Sequence, residues 1–176
     1  AAQGYDVHVG GVPAYSTLGW FDDPLLSSFI RYPEVELARL MFHELAHQLV
    51  YAPGDTAFNE SFATAVEEAG LERWIASRPP AEAEKLAAER DRSDRLRATF
   101  RRLVAETRER LAQVYAEPAD EATGRREKVR AFETMREAFA REQTGAPGLA
   151  GYDRFFAGEG GGGPNNASLA SVGLYT

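Results

Sequence analysis

The 176-residue chain contains no cysteine. That absence removes disulfides, thiol nucleophiles and cysteine-ligated zinc sites together, and it leaves the compartment open. No apolar run approaches the roughly 20 residues that a membrane-spanning helix needs. The opening stretch AAQGYDVHVGG has neither the basic nor the apolar region of a signal peptide. It also lacks an initiator Met, so the chain reads as processed or trimmed, and a missing leader says nothing about the precursor. Positive charge is in the minority: the net charge is −7 and the isoelectric point about 5.1, so no nucleic-acid partner is expected. Nor does the glycine-rich stretch near the C-terminus carry the GxxxxGK[ST] pattern of a phosphate-binding loop. What remains is ordinary for a globular protein: 44% hydrophobic and 27% charged residues, in a length that suits one domain, or one domain with an appendage.

Hydrophobic spacing organises the chain into three regions, 1–80, 81–143 and 144–176. Val7, Val9, Val12, Tyr15, Leu18 and Trp20, set among glycines and Pro13, predict one or two short strands broken by Asp22, Asp23 and Pro24. Pro33 and Glu34 mark a helix start. Over 36–50 the helix is apolar on most sides (Leu37, Leu40, Met41, Phe42, Leu45, Leu49, Val50), which predicts a largely buried element with Arg39 and Gln48 as its wet edge. A turn at Ala52-Pro53-Gly54-Asp55 leads to a second helix over about 57–77, stopped by Pro79-Pro80. Residues 81–143 repeat apolar positions at three- and four-residue steps with a break around 117–124. They predict a long inserted antiparallel helical hairpin, its outer face solvated by pairs such as Glu106–Arg110 and Glu137–Arg141. The glycine-rich 144–164 predicts a lid or crossing loop, after which Asn165-Asn166 can cap a last helix. The fold class expected is α+β, predominantly helical, with a small N-terminal strand region.

The chemistry sits on the first helix. His43 and His47, four residues apart, share one helical face and can reach a single Zn²⁺. Glu44 follows the first histidine, placed to serve as general base for an attacking water. Burying three ionisable groups in an apolar helix is costly unless they are paired or bind a metal. A catalytic zinc site takes three protein ligands and keeps one position open. Glu60, at the start of the second helix, is the preferred third ligand, with Asp55, Glu67 and Glu68 as rivals. His8, the remaining histidine, reads as structural or exposed. A donor for the developing oxyanion is also needed, and Tyr51, Tyr152 and Tyr175 are candidates that spacing does not separate. The 10–20 stretch is the expected edge strand for an extended peptide substrate. Trp20 and Phe21 read as core residues, and Asp22 and Asp23 as turn residues rather than binders of a substrate amino terminus.

Two resemblances bear on this. The segment Asn59-Glu60-Ser61-Phe62-Ala63-Thr64-Ala65-Val66-Glu67 resembles the NE-x-F-A-x-x-x-E segment of the aminopeptidase N family of gluzincins. This implies Glu60 as third zinc ligand and Glu67, two turns along the same face, as a carboxylate behind the ligands, beside Asn59. The GAMEN motif of that family is absent, and the gap from His47 to Glu60 is shorter. YSTLGWFDDPLLS (15–27), HELAHQLVY (43–51), GDTAFNESFAT (54–64) and NNASLAS (165–171) are similar to blocks of the bacterial "predicted aminopeptidase" family. That resemblance implies a zincin-like metallopeptidase core, peptidase activity on peptide substrates, and a bacterial envelope location with a lipoprotein-type start. The alternatives are a catalytically inert scaffold using the helical hairpin as its binding surface, or a zinc hydrolase of another substrate. The sequence leaves the oligomeric state open.

Overall fold

The computed structural model describes residues 5–9, 27, 29–116, 120–158 and 163–173, and every regular element among them is helical. In chain order these are α1 (Glu34–Leu49), α2 (Thr56–Ala76), α3 (Pro80–Ala116), α4 (Glu121–Gly145), a 3₁₀ turn (Pro147–Tyr152), α5 (Asp153–Ala157) and α6 (Asn166–Ser171). The chain divides into two compact units, one within Gly11–Arg92 and the other within Ala1–Gly10 and Ser93–Leu174.

In the Gly11–Arg92 unit, α1 starts after Pro33 with Glu34 and Glu36 in its first turn, where carboxylates suit the positive end of the helix dipole. It ends where Val50 turns extended. The Asp55 side chain caps α2 by accepting from the Phe58 N–H at 2.9 Å. Gly54 supplies the positive φ of 83° that the intervening turn requires. Along α2 the buried residues fall at four-residue steps, Asn59, Ala63, Glu67, Leu71 and Ile75, and this stripe meets Val35, Arg39 and Ala46 of α1. Several positions on the facing stripes are small. A Cβ added at Gly70 would stand 2.7 Å from the Phe42 ring, so α2 approaches α1 closely there because it has no side chain. An apolar cluster of Val35, Leu71, Ile75 and Leu86 closes the end of the pair away from the histidines.

In the other unit, the rest of α3 and α4 share a core with the short C-terminal elements: Phe100, Leu103, Val104, Leu111, Phe132, Met135, Phe139, Leu149, Phe156 and Leu169. Phe139 stacks on Phe156 with centroids 3.7 Å apart, and Phe100 stacks on Tyr152 at 4.4 Å. Arg102 of α3 pairs with Glu142 of α4 at 2.6 Å. Asn165 begins α6 with a reciprocal capping box to Ser168.

Three expectations are corrected. The α+β class with an N-terminal strand region gives way to an all-helical set of described elements, and no described strand accompanies the metal-site helix as a zincin-like core would require. Tyr5–Val9 has alternating valines but no ladder. Its groups are used by side chains instead: the Val7 carbonyl accepts from Asn165 Nδ2 at 3.0 Å, and Asp6 pairs with Lys128 at 2.6 Å. Strand propensity without a partner strand does not make a strand. The remainder of that region, with Val12, Tyr15, Leu18, Trp20, Phe21, Asp22 and Asp23, lies outside the described residues. Second, α1 is not largely buried: Met41, Leu45 and Leu49 are exposed while Arg39, the expected wet edge, is 6% exposed. Among the described residues, α2 and the start of α3 cover one face and one end of α1, fewer sides than carry its apolar residues. Third, the glycine-rich 144–164 stretch contains the 3₁₀ turn and α5. Gly158 and Gly163, both at positive φ, follow them, and Gly163 N–H closes onto the Ala157 carbonyl at 2.8 Å.

Candidate metal centre

The antiparallel run of α1 and α2 brings His43 and His47 of the first opposite Glu60 of the second. One Glu60 oxygen lies 3.3 Å from His43 Nε2, and the other 3.7 Å from His47 Nε2. The two imidazoles meet edge to face, with centroids 5.0 Å apart and planes at 84°. Donor atoms from all three residues fall within 4.8 Å of one another, as a cluster able to hold a metal ion must. In a tetrahedral zinc site with bonds of about 2.1 Å, donors stand roughly 3.4 Å apart. The His43–Glu60 separation of 3.3 Å is close to that spacing, and the 3.7 Å to His47 is made by the other Glu60 oxygen. Two imidazoles and a carboxylate are also the donor set of a catalytic zinc site.

The turn before α2 sets where Glu60 begins. Asn59, almost fully buried, holds the Ala52 peptide at both ends: its Oδ1 accepts from Ala52 N–H at 2.7 Å and its Nδ2 donates to the Ala52 carbonyl at 2.9 Å. Asn59 therefore fixes the connection between the two ligand-bearing helices and leaves the next residue facing α1.

Behind the histidines lies a second layer. Glu67 sends Oε2 to His43 Nδ1 at 3.2 Å and Oε1 to Arg39 Nη1 at 3.1 Å. The Glu67 side chain is 9% exposed and that of Glu60 32%, so one carboxylate is part of the interior and the other is open to a ligand. Glu36 stands 3.9 Å from Arg39 Nε. The hydrogen bond that His43 Nδ1 donates to Glu67, opposed by burial and reinforced by the charges of Glu67, Glu60 and Glu44, raises the His43 pKa above its usual value. Three carboxylates acting on one imidazole, with Arg39 the buried guanidinium among the described residues, make an environment suited to a cation. His47 Nδ1 is buried with no hydrogen-bond partner among the described residues, so the two imidazoles are held differently.

The other candidates are distributed as follows. Glu44 is half-buried on α1 beside His43, and its charge acts on that ring. Asp55 caps α2, and Glu68 is exposed. Tyr51 is exposed, Tyr152 stacks on Phe100 in the other unit, and Tyr175 lies outside the described residues. His8 is not among the clustered donors. Arg39 is the residue that the sequence reading missed; its four-residue spacing from His43, matched to Glu67 two turns after Glu60, was the available signal.

Such a pair of helices, presenting two imidazole nitrogens and a carboxylate to one point, defines a protein with a candidate divalent-metal centre. The family model described as "Putative aminopeptidase" matches residues 1–176, and the chain belongs to that family. No curated protein and no solved structure matches it. The family's description points to a peptidase. Among the described residues, no helix is long and apolar enough to cross a membrane.

Proposed function

We propose that this chain is a zinc-dependent peptidase, acting as an aminopeptidase, in which His43, His47 and Glu60 hold the ion. The observation that carries the reading is the convergence of Glu60 of α2 on both Nε2 atoms of α1. Zinc bound there supplies Lewis acidity, polarising a scissile carbonyl and letting water attack near neutral pH. Glu44 takes the proton from the attacking water and returns it to the departing amine. Glu67 holds His43 from behind, and Asn59 keeps Glu60 in register. An inert scaffold built on the hairpin is less well supported: among the described residues of α3 and α4, the exposed large hydrophobics are Tyr115 and Val129, too few for a docking stripe.

Elemental analysis tests the ligand set. About one zinc per chain is expected, falling sharply in Glu60→Ala. Glu44→Gln keeps the metal and loses on the order of 10²–10⁴-fold in turnover. Retention of full zinc affinity by Glu60→Ala would remove Glu60 from the ligand set. Comparing peptides with free and blocked amino termini separates aminopeptidase from endopeptidase action.

A further inference from the structure

We propose that Arg39 is a positioning residue for the metal centre, holding the Glu67 carboxylate so that it orients the His43 ring toward the site. The inference rests on the zinc reading above and extends it to a residue that no ligand pattern contains.

Arg39 precedes His43 by four residues, so both project from one face of α1. Glu67 of α2 lies between them and divides its oxygens, Oε1 to the guanidinium at 3.1 Å and Oε2 to His43 Nδ1 at 3.2 Å. Both Arg39 and Glu67 are buried. A buried ion pair is a poor source of net stability, since desolvation offsets most of the attraction, and apolar residues of similar size commonly do as well. Its use here lies in direction. With one oxygen anchored on Arg39, the other is presented to Nδ1, which fixes the imidazole's rotation and leaves Nε2 facing Glu60, 3.3 Å away. Partners behind a metal-bound histidine commonly set ligand orientation in this way. His47 provides an internal contrast, because its buried Nδ1 has no hydrogen-bond partner among the described residues. The orienting chain therefore serves one imidazole of the two.

The test is zinc affinity of the full-length chain, measured by competition with a chromogenic chelator, together with the visible spectrum of the cobalt(II)-loaded protein. Arg39→Met should weaken zinc binding by about 10- to 100-fold and alter the cobalt bands. Arg39→Lys, which keeps the charge but not the planar fork, should recover part of the loss. Glu67→Gln should also weaken binding, and the double variant should be no worse than the poorer single, since both break one chain of contacts. Leu71→Ala is the control, loosening the same helix pair without touching the chain. Unchanged affinity and cobalt spectrum in Arg39→Met overturn the inference. So does Leu71→Ala reproducing the loss and the spectral change, which would reduce Arg39 to a contributor to stability. If Arg39→Met fails to fold, Glu67→Gln decides: wild-type affinity and spectrum there overturn the inference equally. A wild-type chain that binds no zinc overturns the zinc reading itself, a result distinct from wild-type binding that the Arg39 variants leave untouched.

Discussion

Around α3 and α4 the interior is filled by Phe100, Phe132, Phe139, Phe156 and the leucines near them, whereas beside the histidines the α1–α2 interior holds Arg39, Glu67 and Asn59 with Ala46 and Ala63, its apolar cluster of Val35, Leu71, Ile75 and Leu86 lying at the other end. The aromatic interior gains stability from apolar area, at roughly 25 cal/mol per Å², with little dependence on direction. The polar interior gains little from its charges once desolvation is counted. It is held instead by bonds with fixed partners: Asn59 to Ala52, Glu67 to Arg39 and His43. The aromatic core depends on area, whereas the end of the α1–α2 pair that carries the histidines depends on which atom meets which.

Substitutions that separate stability from metal affinity sharpen the contrast. Phe139→Ala removes a stacked, buried ring and should cost about 3–5 kcal/mol in urea unfolding. Zinc affinity of the remaining folded protein should be nearly unchanged; a loss matching that of Glu60→Ala would break the comparison. Asn59→Ala leaves the Ala52 N–H and carbonyl without this partner and should cost about 1–3 kcal/mol. Zinc binding should weaken with it, because the turn that places Glu60 is released. Gly70→Ala forces a methyl group against the Phe42 ring. Overpacking of about 1–3 kcal/mol exceeds the roughly 1 kcal/mol gained in helix propensity, so thermal melting should show a small net loss. A stabilised Gly70→Ala would mean that the two helices have room to spare.

The smallest effect concerns pH. The raised His43 pKa means that the folded, metal-free protein holds this proton more tightly than the unfolded chain does. The contribution is fully present below the unfolded value of about 6.5 and is lost as pH rises through the higher folded value. Melting temperatures of the metal-free chain should therefore decline across that window. Zinc, which needs the imidazole unprotonated, should abolish the decline. A metal-free melting temperature that rises through the same window would contradict the arrangement at Glu67.

Much of the helical layout was legible from local signals. Pro33 with Glu34, the 52–55 turn and Pro79-Pro80 place α1, α2 and the start of α3 within about two residues, because caps and breakers act over one turn of chain. The identity of Asn165 as a cap was readable for the same reason. The grouping of His43 and His47 follows from helical period alone, and Glu60 is where the structure completes a possible metal cluster. What could not be read were properties created by distant partners. Arg39 looks like a solvated residue until Glu67, 28 positions away, supplies its counter-charge. Val7 and Val9 look like strand residues until the Lys128 ammonium of α4 and the Asn166 N–H take the Asp6 carboxylate and Asn165 Nδ2 donates to the Val7 carbonyl. The tyrosines behaved likewise: nothing in its spacing shows that Tyr152 spends its ring on Phe100.

The bidentate grip of Asn59 on Ala52 also has an evolutionary corollary. Because it ties the peptide that leaves α1 to the residue just ahead of Glu60, the number of residues between them is constrained. A single insertion or deletion there would change the loop that this pair of bonds closes or, within the first turn of α2, swing Asn59 and every later side chain by about 100° from the Asp55 cap. The linker, though on the surface where length changes are ordinarily absorbed, should therefore be among the least length-tolerant stretches of this chain.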